Sequence, residues 1–230
     1  MVDYAKAIKR PFTDFGKLVI GILLVIIPFV NVITLFCVYG YGLECAKTAI
    51  KKKTQLPGWD NVLKLFLQGV LMMIIAIVYT IPALIFLIIG GINSKDIILT
   101  SFRENTLNIG PSVFASITLF IIFLLLTLLA GYLLPVAMIN YGFKRSFKKA
   151  FCLREVFKKA FTGKYFIHWI GLIAMLWVIS SVLAGISIIW SLIPLIGGVI
   201  STILLVFAYF VFMIVIWFTI FGEVYGEIKQ

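Results

Sequence analysis

Four long stretches without a charged residue set the pattern of this sequence. They cover residues 18–43, 65–94, 105–143 and 165–222, with lengths of 26, 30, 39 and 58 residues. A helix needs roughly 20 predominantly apolar residues to cross the hydrocarbon core of a bilayer. Each stretch is therefore long enough for one membrane helix, and the last is long enough for two. Continuous apolar runs indicate α-helices, whereas a membrane β-barrel would show short strands of alternating residues.

Turn-forming residues divide the three later stretches into predicted helices. Glycine, asparagine, serine and proline residues mark an outer loop at 92–111, and Pro194 marks an outer turn in the longest stretch. The predicted helices are 63–91, 112–143, 165–190 and 197–222.

The first stretch, residues 18–43, is either one kinked span or a hairpin. Pro28 and Asn31 interrupt it, because proline removes a helix donor and disfavours helix just before it. Cytoplasmic loops carry an excess of lysine and arginine. A hairpin places 18 basic residues inside and 2 outside, whereas a single span places 14 on one side and 6 on the other. We therefore expect a hairpin.

The arms of this hairpin are short. An arm of about 13 residues reaches only ~20 Å, whereas the hydrocarbon core is ~30 Å thick. The hairpin is therefore expected to be re-entrant, or to extend at its ends through Lys17 and Tyr41. A single kinked span is the alternative.

The composition agrees with an all-α membrane protein. Hydrophobic residues make up 63% of the chain and charged residues 13%, whereas soluble domains are about 45–50% apolar and about 25% charged. We expect one integral domain, residues 1–230, with five or six membrane helices in the plasma membrane. The loop charges place the C-terminus in the cytoplasm, and the hairpin places the N-terminus there too. The net charge of +11 then belongs to loops that face anionic lipid, not to a nucleic-acid surface.

A Tyr-Gly pair recurs where three helices are predicted to reach the inner interface. The pairs are Tyr41-Gly42, Tyr141-Gly142 and Tyr225-Gly226. The recurrence suggests two related halves, about 18–91 and 112–190, followed by a final helix at 197–222. The alternative is that each inward helix needs its own tyrosine anchor at the headgroup level.

A polar turn, KKKTQLPGWDN at 51–61, joins the first two stretches. Leu56-Pro57 favours an extended backbone, because the residue before proline avoids the helical region. Asp60 is expected to cap a helix that begins at residues 61–62, and Trp59 is expected in the interfacial belt. Three lysines of the turn are expected to face anionic lipid, at about 1 kcal/mol each: Lys51, Lys52 and Lys53.

The turn and its surroundings form a recognisable pattern. It consists of a glycine in the first apolar segment, a Gly-Tyr pair at its end, a basic stretch, Leu-Pro-x-Trp-Asp, and a glycine in the next helix. The residues are Gly21, Gly40, Tyr41, Leu56, Pro57, Trp59, Asp60 and Gly69. This pattern resembles the prokaryotic membrane family called domain of unknown function 4013, mainly over residues 12–70. The lysine run departs from that family, which more often has arginines near an acidic residue. The resemblance implies no known activity.

A second basic segment, residues 144–163, combines lysines with spaced phenylalanines. Its four phenylalanines can share one broad face of a helix, which predicts an amphipathic helix lying on the inner leaflet. Contact with anionic lipid is expected for Lys148, Lys149, Lys158 and Lys159. Docking of a soluble partner is the alternative.

The sequence offers little for catalysis or metal binding. His168 is the only histidine, the three cysteines lack metal-ligand spacing, and no carboxylate lies inside the apolar stretches. We expect no catalytic residues, no metal site and no cofactor.

Two classes of function remain. The first is a non-catalytic membrane protein that binds lipid or a partner, or organises the bilayer, including as a homo-oligomer. The second is a transporter or channel for a small or hydrophobic substrate, which two related halves and broken helices would favour. A polar cavity between the halves would favour transport, and a closed apolar groove would favour lipid binding.

Overall fold

The computed structural model describes residues 2–26, 31–104, 111–191, 193 and 196–228. Its α-helices are α1 Tyr4–Lys9, α2 Phe15–Ile26, α3 Asn31–Ile50, α4 Val62–Glu104, α5 Pro111–Lys144, α6 Leu153–Ala160, α7 Gly163–Ser191, α8 Ile196–Ala208 and α9 Trp217–Ile228. Short 3-10 helices lie at Arg10–Thr13 and Phe147–Phe151, and a π-helical segment, Tyr209–Ile216, joins α8 to α9. No strand occurs in these described ranges, which confirms the all-α class.

Among the residues that the structure describes, four helices are long and apolar enough to cross a bilayer. They are Val62–Lys95 within α4, Pro111–Lys144, Gly163–Trp190 and the continuous run Ile196–Ile228. These four correspond to the four helices predicted from the later apolar stretches. The expected total of five or six membrane helices is reached only by adding the two helices of the first stretch.

The first stretch folds back on itself. The Thr34 hydroxyl in α3 donates a hydrogen bond to the Leu24 carbonyl in α2 at 2.6 Å. Two positions ten residues apart can meet in this way only if the chain reverses between the helices. With 12 residues, α2 is about 18 Å long and too short to cross the core by itself. The structure thus has the predicted hairpin, in which α2 is short, whereas α3 has 20 residues and is about 30 Å long.

The predicted break residues are only partly visible. Pro28 and Pro194 lie outside the described residues, and Asn31 is described only as the first residue of α3. Their role as helix breaks therefore stays a prediction.

The expected outer loop at 92–111 is wrong for most of its length. Residues 92–104 continue α4 as helix, and residues 105–110 lie outside the described ranges. Glycine weakens a helix without ending it, and the Ser94 hydroxyl donates to the Gly90 carbonyl at 2.8 Å inside the same helix. The polar side chain therefore finds its partner without a turn.

The chain divides into two compact units. The first contains residues 1–73 and 135–230, and the second contains residues 74–134. The second unit consists of the later part of α4 and the earlier part of α5, and exposes large apolar side chains such as Ile88 and Leu125. Such exposure is expected of helices in contact with lipid. This division does not follow the two related halves, which stay a prediction.

The core of the first unit lies where α3 packs along α9. Side chains that are completely or almost completely buried there include Leu43, Tyr41, Ile220 and Phe221. The helices approach closely, because a Cβ added at Gly222 of α9 would lie 2.5 Å from the Ala46 carbonyl oxygen of α3. Small residues allow this kind of close backbone packing between membrane helices.

Candidate functional site

The Leu-Pro-Gly-Trp-Asp turn is fixed against the hairpin by aromatic stacking and backbone hydrogen bonds. The ring of Trp59 stacks on the ring of Tyr41, with centroids 4.0 Å apart and planes 3° from parallel. The Tyr41 hydroxyl donates to the Pro57 carbonyl at 3.2 Å, and the Trp59 indole donates to the Lys17 carbonyl at 3.1 Å. Lys17 returns a bond from its ammonium to the Leu56 carbonyl at 3.2 Å. The turn therefore holds α2 and α3 together.

The aromatic residues of this turn and of the Tyr-Gly pairs make contacts within the protein. Tyr41 is completely buried and Tyr225 almost so, and Trp59 is half-buried against Tyr41. Their hydroxyl and indole groups bond to protein atoms, which satisfies the polar groups that burial removes from water. The tyrosines of the recurring Tyr-Gly pairs at 41 and 225 are therefore packed inside the protein, and their position at the headgroup level stays a prediction.

The capping prediction at the start of α4 is correct in position but wrong in residue. The helix begins at Val62, and the side chain of Asn61 accepts the Lys64 backbone N–H at 3.1 Å. Asn61 is thus the N-cap, a role that asparagine fills as well as aspartate. The Asp60 carboxylate instead lies over Gly58, where an added Cβ would be 2.1 Å from Asp60 Oδ2.

Two glycines of the family pattern bring α3 and α4 into backbone contact. A Cβ added at Gly40 would lie 2.0 Å from the Leu65 carbonyl oxygen, and one added at Gly69 would lie 1.8 Å from the Phe36 carbonyl oxygen. Gly40 therefore faces the backbone of α4, and Gly69 faces the backbone of α3. The two contacts lie about one helical turn apart along the helices. Any side chain at either position would force the helices apart.

Arg10 is a buried cation that links three parts of the first unit. Only 3% of the residue is exposed. Its guanidinium donates to the Cys45 carbonyl at 3.0 Å, the Thr219 hydroxyl at 2.8 Å, the Gln55 carbonyl at 3.3 Å and the Thr48 hydroxyl. The N-terminal segment is thereby attached to α3, to the turn that follows it and to α9. The sequence places Arg10 only in a basic N-terminal segment and contains no signal of this role.

A second polar network surrounds Asn140 in α5. Its side-chain oxygen accepts bonds from Lys159 Nζ at 3.0 Å and from the Tyr225 hydroxyl, and its nitrogen donates to the Lys149 carbonyl at 3.1 Å. The Lys159 ammonium also lies 3.9 Å from the centre of the Tyr225 ring, which is a cation–π distance. An isolated asparagine in an apolar stretch was the only sequence signal for this network.

Residues 144–163 form two short helices and not the single helix expected. Cys152 separates Phe147–Phe151 from α6, with a backbone ψ of 78° that no helix adopts. The four phenylalanines therefore do not share one helical face. The stripe that α6 and the next residue do expose consists of Leu153, Phe157 and Phe161, which we call the α6 stripe.

The predicted lipid-contacting lysines fall into two groups. Lys51, Lys52, Lys53, Lys148 and Lys158 are exposed. Lys149 and Lys159 instead take part in contacts within the protein, because Lys149 lies 3.5 Å from Glu155 Oε1 and Lys159 bonds to Asn140. Lipid contact stays a prediction for all seven, and the exposed five are the better placed for it.

We expect the contribution of Glu155 to stability to depend on pH. Its carboxylate lies 2.5 Å from the Lys144 ammonium, and that hydrogen bond holds the pKa of Glu155 below its usual value. A carboxyl group with a lowered folded-state pKa stabilises the fold above its unfolded pKa, and the effect is lost as pH falls through the folded value. Since the side chain is 32% exposed, the effect should stay below about 1 kcal/mol.

The comparison of the wild type with Glu155→Gln tests this expectation. The difference in free energy of unfolding should be constant above about pH 6 and shrink between about pH 5 and pH 3. A difference that stays constant across that acidic range would contradict the assigned ion pair. Measurement in one detergent, with chemical unfolding at each pH, gives the comparison directly.

Clusters of three or more potential metal ligands are not found within the ranges the structure describes. The fold and the contacts described above define a polytopic α-helical membrane protein. Its basic end is held together by many hydrogen bonds and ion pairs. The chain belongs to the family described as protein of unknown function DUF4013, whose model matches residues 20–190. The predicted family is thereby confirmed. No curated protein and no solved structure matches the chain.

Proposed function

We propose that this protein is a non-catalytic membrane protein that binds anionic lipid at the surface of α6. The observation that carries the proposal is the α6 stripe, whose residues Leu153, Phe157 and Phe161 are 55%, 37% and 65% exposed. They follow one another at intervals of four residues, so they form one line along the helix. Exposed leucine and phenylalanine in line on a short polar helix favour a position at the membrane interface.

Basic residues beside the stripe support an anionic lipid as the partner. Arg154 and Lys158 are exposed and lie one position after Leu153 and Phe157. Val156 and Ala160, on the adjacent face of α6, are buried and attach the helix to the protein. A cation near the surface of an anionic leaflet is worth about 1 kcal/mol. Two cations beside an apolar line therefore favour phosphatidylglycerol over a zwitterionic lipid.

Transport is not the function that the described cavities favour. A cavity of about 620 Å³ has a mixed polar and apolar lining, which comes largely from the N-terminal segment, the end of α3 and the segment after it, and α9. Phe143 is its one lining residue from 112–190, so the cavity is not formed mainly between 18–91 and 112–190, the arrangement that would have favoured a transporter. A lipid-binding or membrane-organising role requires no such cavity.

The proposal is tested by the selectivity of lipid retention. Delipidated protein is incubated with equimolar phosphatidylglycerol and phosphatidylcholine in mixed micelles, and retained lipid is measured by mass spectrometry. The wild type should retain phosphatidylglycerol preferentially, and Arg154→Gln/Lys158→Gln should lower that preference about tenfold, since two cations are removed.

A matched double variant controls for net charge. Lys95→Gln/Arg103→Gln removes the same charge from the segment predicted to face the other side of the membrane, and its lipid preference should stay within about twofold of the wild type. Equal retention of the two lipids by the wild type would overturn the proposal. So would an equal loss of preference in the two double variants.

A further inference from the structure

A charged cavity of about 620 Å³ lies within the first unit, apart from the α6 stripe. Volumes of this size are typical of sites for small ligands. Cationic side chains, hydroxyl groups and carboxylates all contribute to its wall. The polar lining residues are Asp3, Lys6, Arg10, Lys52, Lys53, Thr54, Thr219, Glu223 and Glu227.

Arg10 places a positive charge in the wall of this cavity, where Glu223 interacts with it electrostatically but forms no direct ion pair with it among the described residues. Its four hydrogen-bond acceptors are two carbonyl and two hydroxyl oxygens, and all of them are neutral. No ion pair between described residues includes Arg10, and its Nε is buried without a hydrogen-bond partner. Buried charges in proteins are normally paired, because removing an ion from water is costly. An anion in the cavity would supply a counter-charge in direct contact with the cationic wall.

Lys52 and Lys53 bring two more positive charges to the same wall. Both are exposed, and the ion pairs of the described residues include neither of them. The N–H groups of Lys52 and Lys53 bond to the Ala49 and Thr48 carbonyls at 2.8 and 3.0 Å. These two bonds end α3 in a Schellman motif with Lys52 at the position that favours glycine.

The conformation of Lys52 is unfavourable for a residue with a side chain. Its φ is 57°, in the left-handed region. A lysine at this position therefore places its charge at the cavity at some conformational cost, which glycine would have avoided.

The carboxylates in the wall are largely occupied by other cations. Asp3 pairs with Lys6 at 3.3 Å, and Glu227 lies 3.7 Å from Lys164. Glu223 accepts the Asp3 backbone N–H at 3.2 Å. Once these contacts are counted, three cations remain in the wall against one carboxylate. The cations are Arg10, Lys52 and Lys53, and the carboxylate is Glu223. The cavity as a whole therefore attracts anions.

We propose that this cavity binds a phosphate monoester group, with Lys52 and Lys53 pairing with its oxygens and Arg10 supplying a fixed positive charge behind them. The hydroxyl group of Thr54 is placed to donate to a third oxygen. A phosphate monoester carries up to two negative charges and three acceptor oxygens, which suits three cations and a hydroxyl better than a single carboxylate would. The rest of the volume accommodates the esterified group, which belongs either to a lipid headgroup or to a soluble metabolite.

Binding is measured by isothermal titration of the full chain in detergent with two probes. Glycerol 3-phosphate represents a soluble ester, and dioctanoyl phosphatidic acid represents a lipid headgroup. Glycerol and dioctanoyl phosphatidylcholine serve as the probes without a phosphate monoester. We expect one or both phosphate monoesters to bind, and Lys52→Gln/Lys53→Gln to weaken that binding at least about tenfold, because charge-assisted hydrogen bonds are lost.

The neighbouring Lys51 gives a matched control. It is exposed and belongs to the same lysine run, but it does not line the cavity. Lys51→Gln should leave the affinity for glycerol 3-phosphate within about twofold of the wild type, since an exposed charge outside the site is screened. Binding of both esters with similar affinity would assign the site to the phosphate group alone. Binding of phosphatidic acid only would assign it to a lipid.

Several results would overturn the proposal. Failure of both phosphate monoesters to bind the wild type would do so, and so would equal weakening by Lys51→Gln and by the double variant. The site is also independent of the α6 stripe. Arg154→Gln/Lys158→Gln should leave the binding of glycerol 3-phosphate, which is not a lipid, unchanged, so the failure of one proposal can be told from the failure of the other.

Discussion

Replacing Gly69 by alanine is expected to destabilise the protein by about 3 kcal/mol or more, because the added methyl group has no room. Its carbon would lie 1.8 Å from the carbonyl oxygen of Phe36. That atom belongs to the backbone of α3 and cannot move aside by a change of rotamer. The helices would have to separate, and the reciprocal contact of Gly40 with Leu65 would be lost with them.

Gly131 provides the control for this substitution. It also lies inside a membrane helix, α5, but a Cβ added there would meet no atom within 4 Å. Gly131→Ala should therefore be neutral or stabilise by up to about 1 kcal/mol, since alanine is the better helix former. The two variants are compared by thermal unfolding in the same detergent. Equal effects would show that Gly69 has no special close contact.

The helical architecture could be predicted because bilayer thickness restricts what an apolar stretch can form. Four helices with predicted positions have the length and composition to span a membrane. The hairpin could also be predicted, since Pro28 and the distribution of basic residues both favoured a reversal near the middle of residues 18–43. These features depend on local sequence and on the membrane as solvent.

The candidate sites could be predicted less well, because they depend on which helices meet. Lys149 and Lys158 look alike in the sequence, yet Lys149 contacts Glu155 while Lys158 is exposed. Glu44 lies at the margin of an apolar stretch in the sequence, and in the structure its carboxylate contacts Lys64 and Gln68 of α4. The pattern of charges along a chain does not record such partners.

Helix ends show a similar limit. Asp60 and Asn61 are adjacent and both are good N-cap residues, so the sequence could not decide between them. In the structure Asn61 is the N-cap residue, and the Asp60 carboxylate lies over Gly58. The outer loop was mispredicted for a related reason, since Ser94 can find a hydrogen-bond acceptor within its own helix.

The proposed phosphate cavity depends on how the N-terminal segment is held. The cavity is formed by the N-terminal segment lying against α3 and α9, and Arg10 bonds to both helices. A second contact also holds that segment, because the Tyr4 hydroxyl lies 2.5 Å from His168 Nδ1 of α7. The N-terminal segment at the basic end of the first unit is thus fixed to the helices by specific hydrogen bonds.

Replacing Arg10 by methionine is expected to destabilise the protein by about 3–5 kcal/mol. The variant keeps much of the apolar bulk but removes four hydrogen bonds, and bonds to a charged group are worth about 1.5–3 kcal/mol each before compensation. It would leave the Cys45 carbonyl and the Thr219 hydroxyl without the bonds that Arg10 gives them. Burying polar atoms without partners adds a further cost.

Two comparisons separate this effect from a simple loss of charge. Lys9→Met removes the neighbouring exposed cation and should change stability by less than about 0.5 kcal/mol. Arg10→Lys keeps the charge but cannot reach the same acceptors, because an ammonium lacks the planar fork of the guanidinium. It should lose most of what Arg10→Met loses. If Arg10→Lys instead matched the wild type in thermal unfolding, the charge alone would be responsible, and the four-way attachment of the N-terminal segment would contribute nothing.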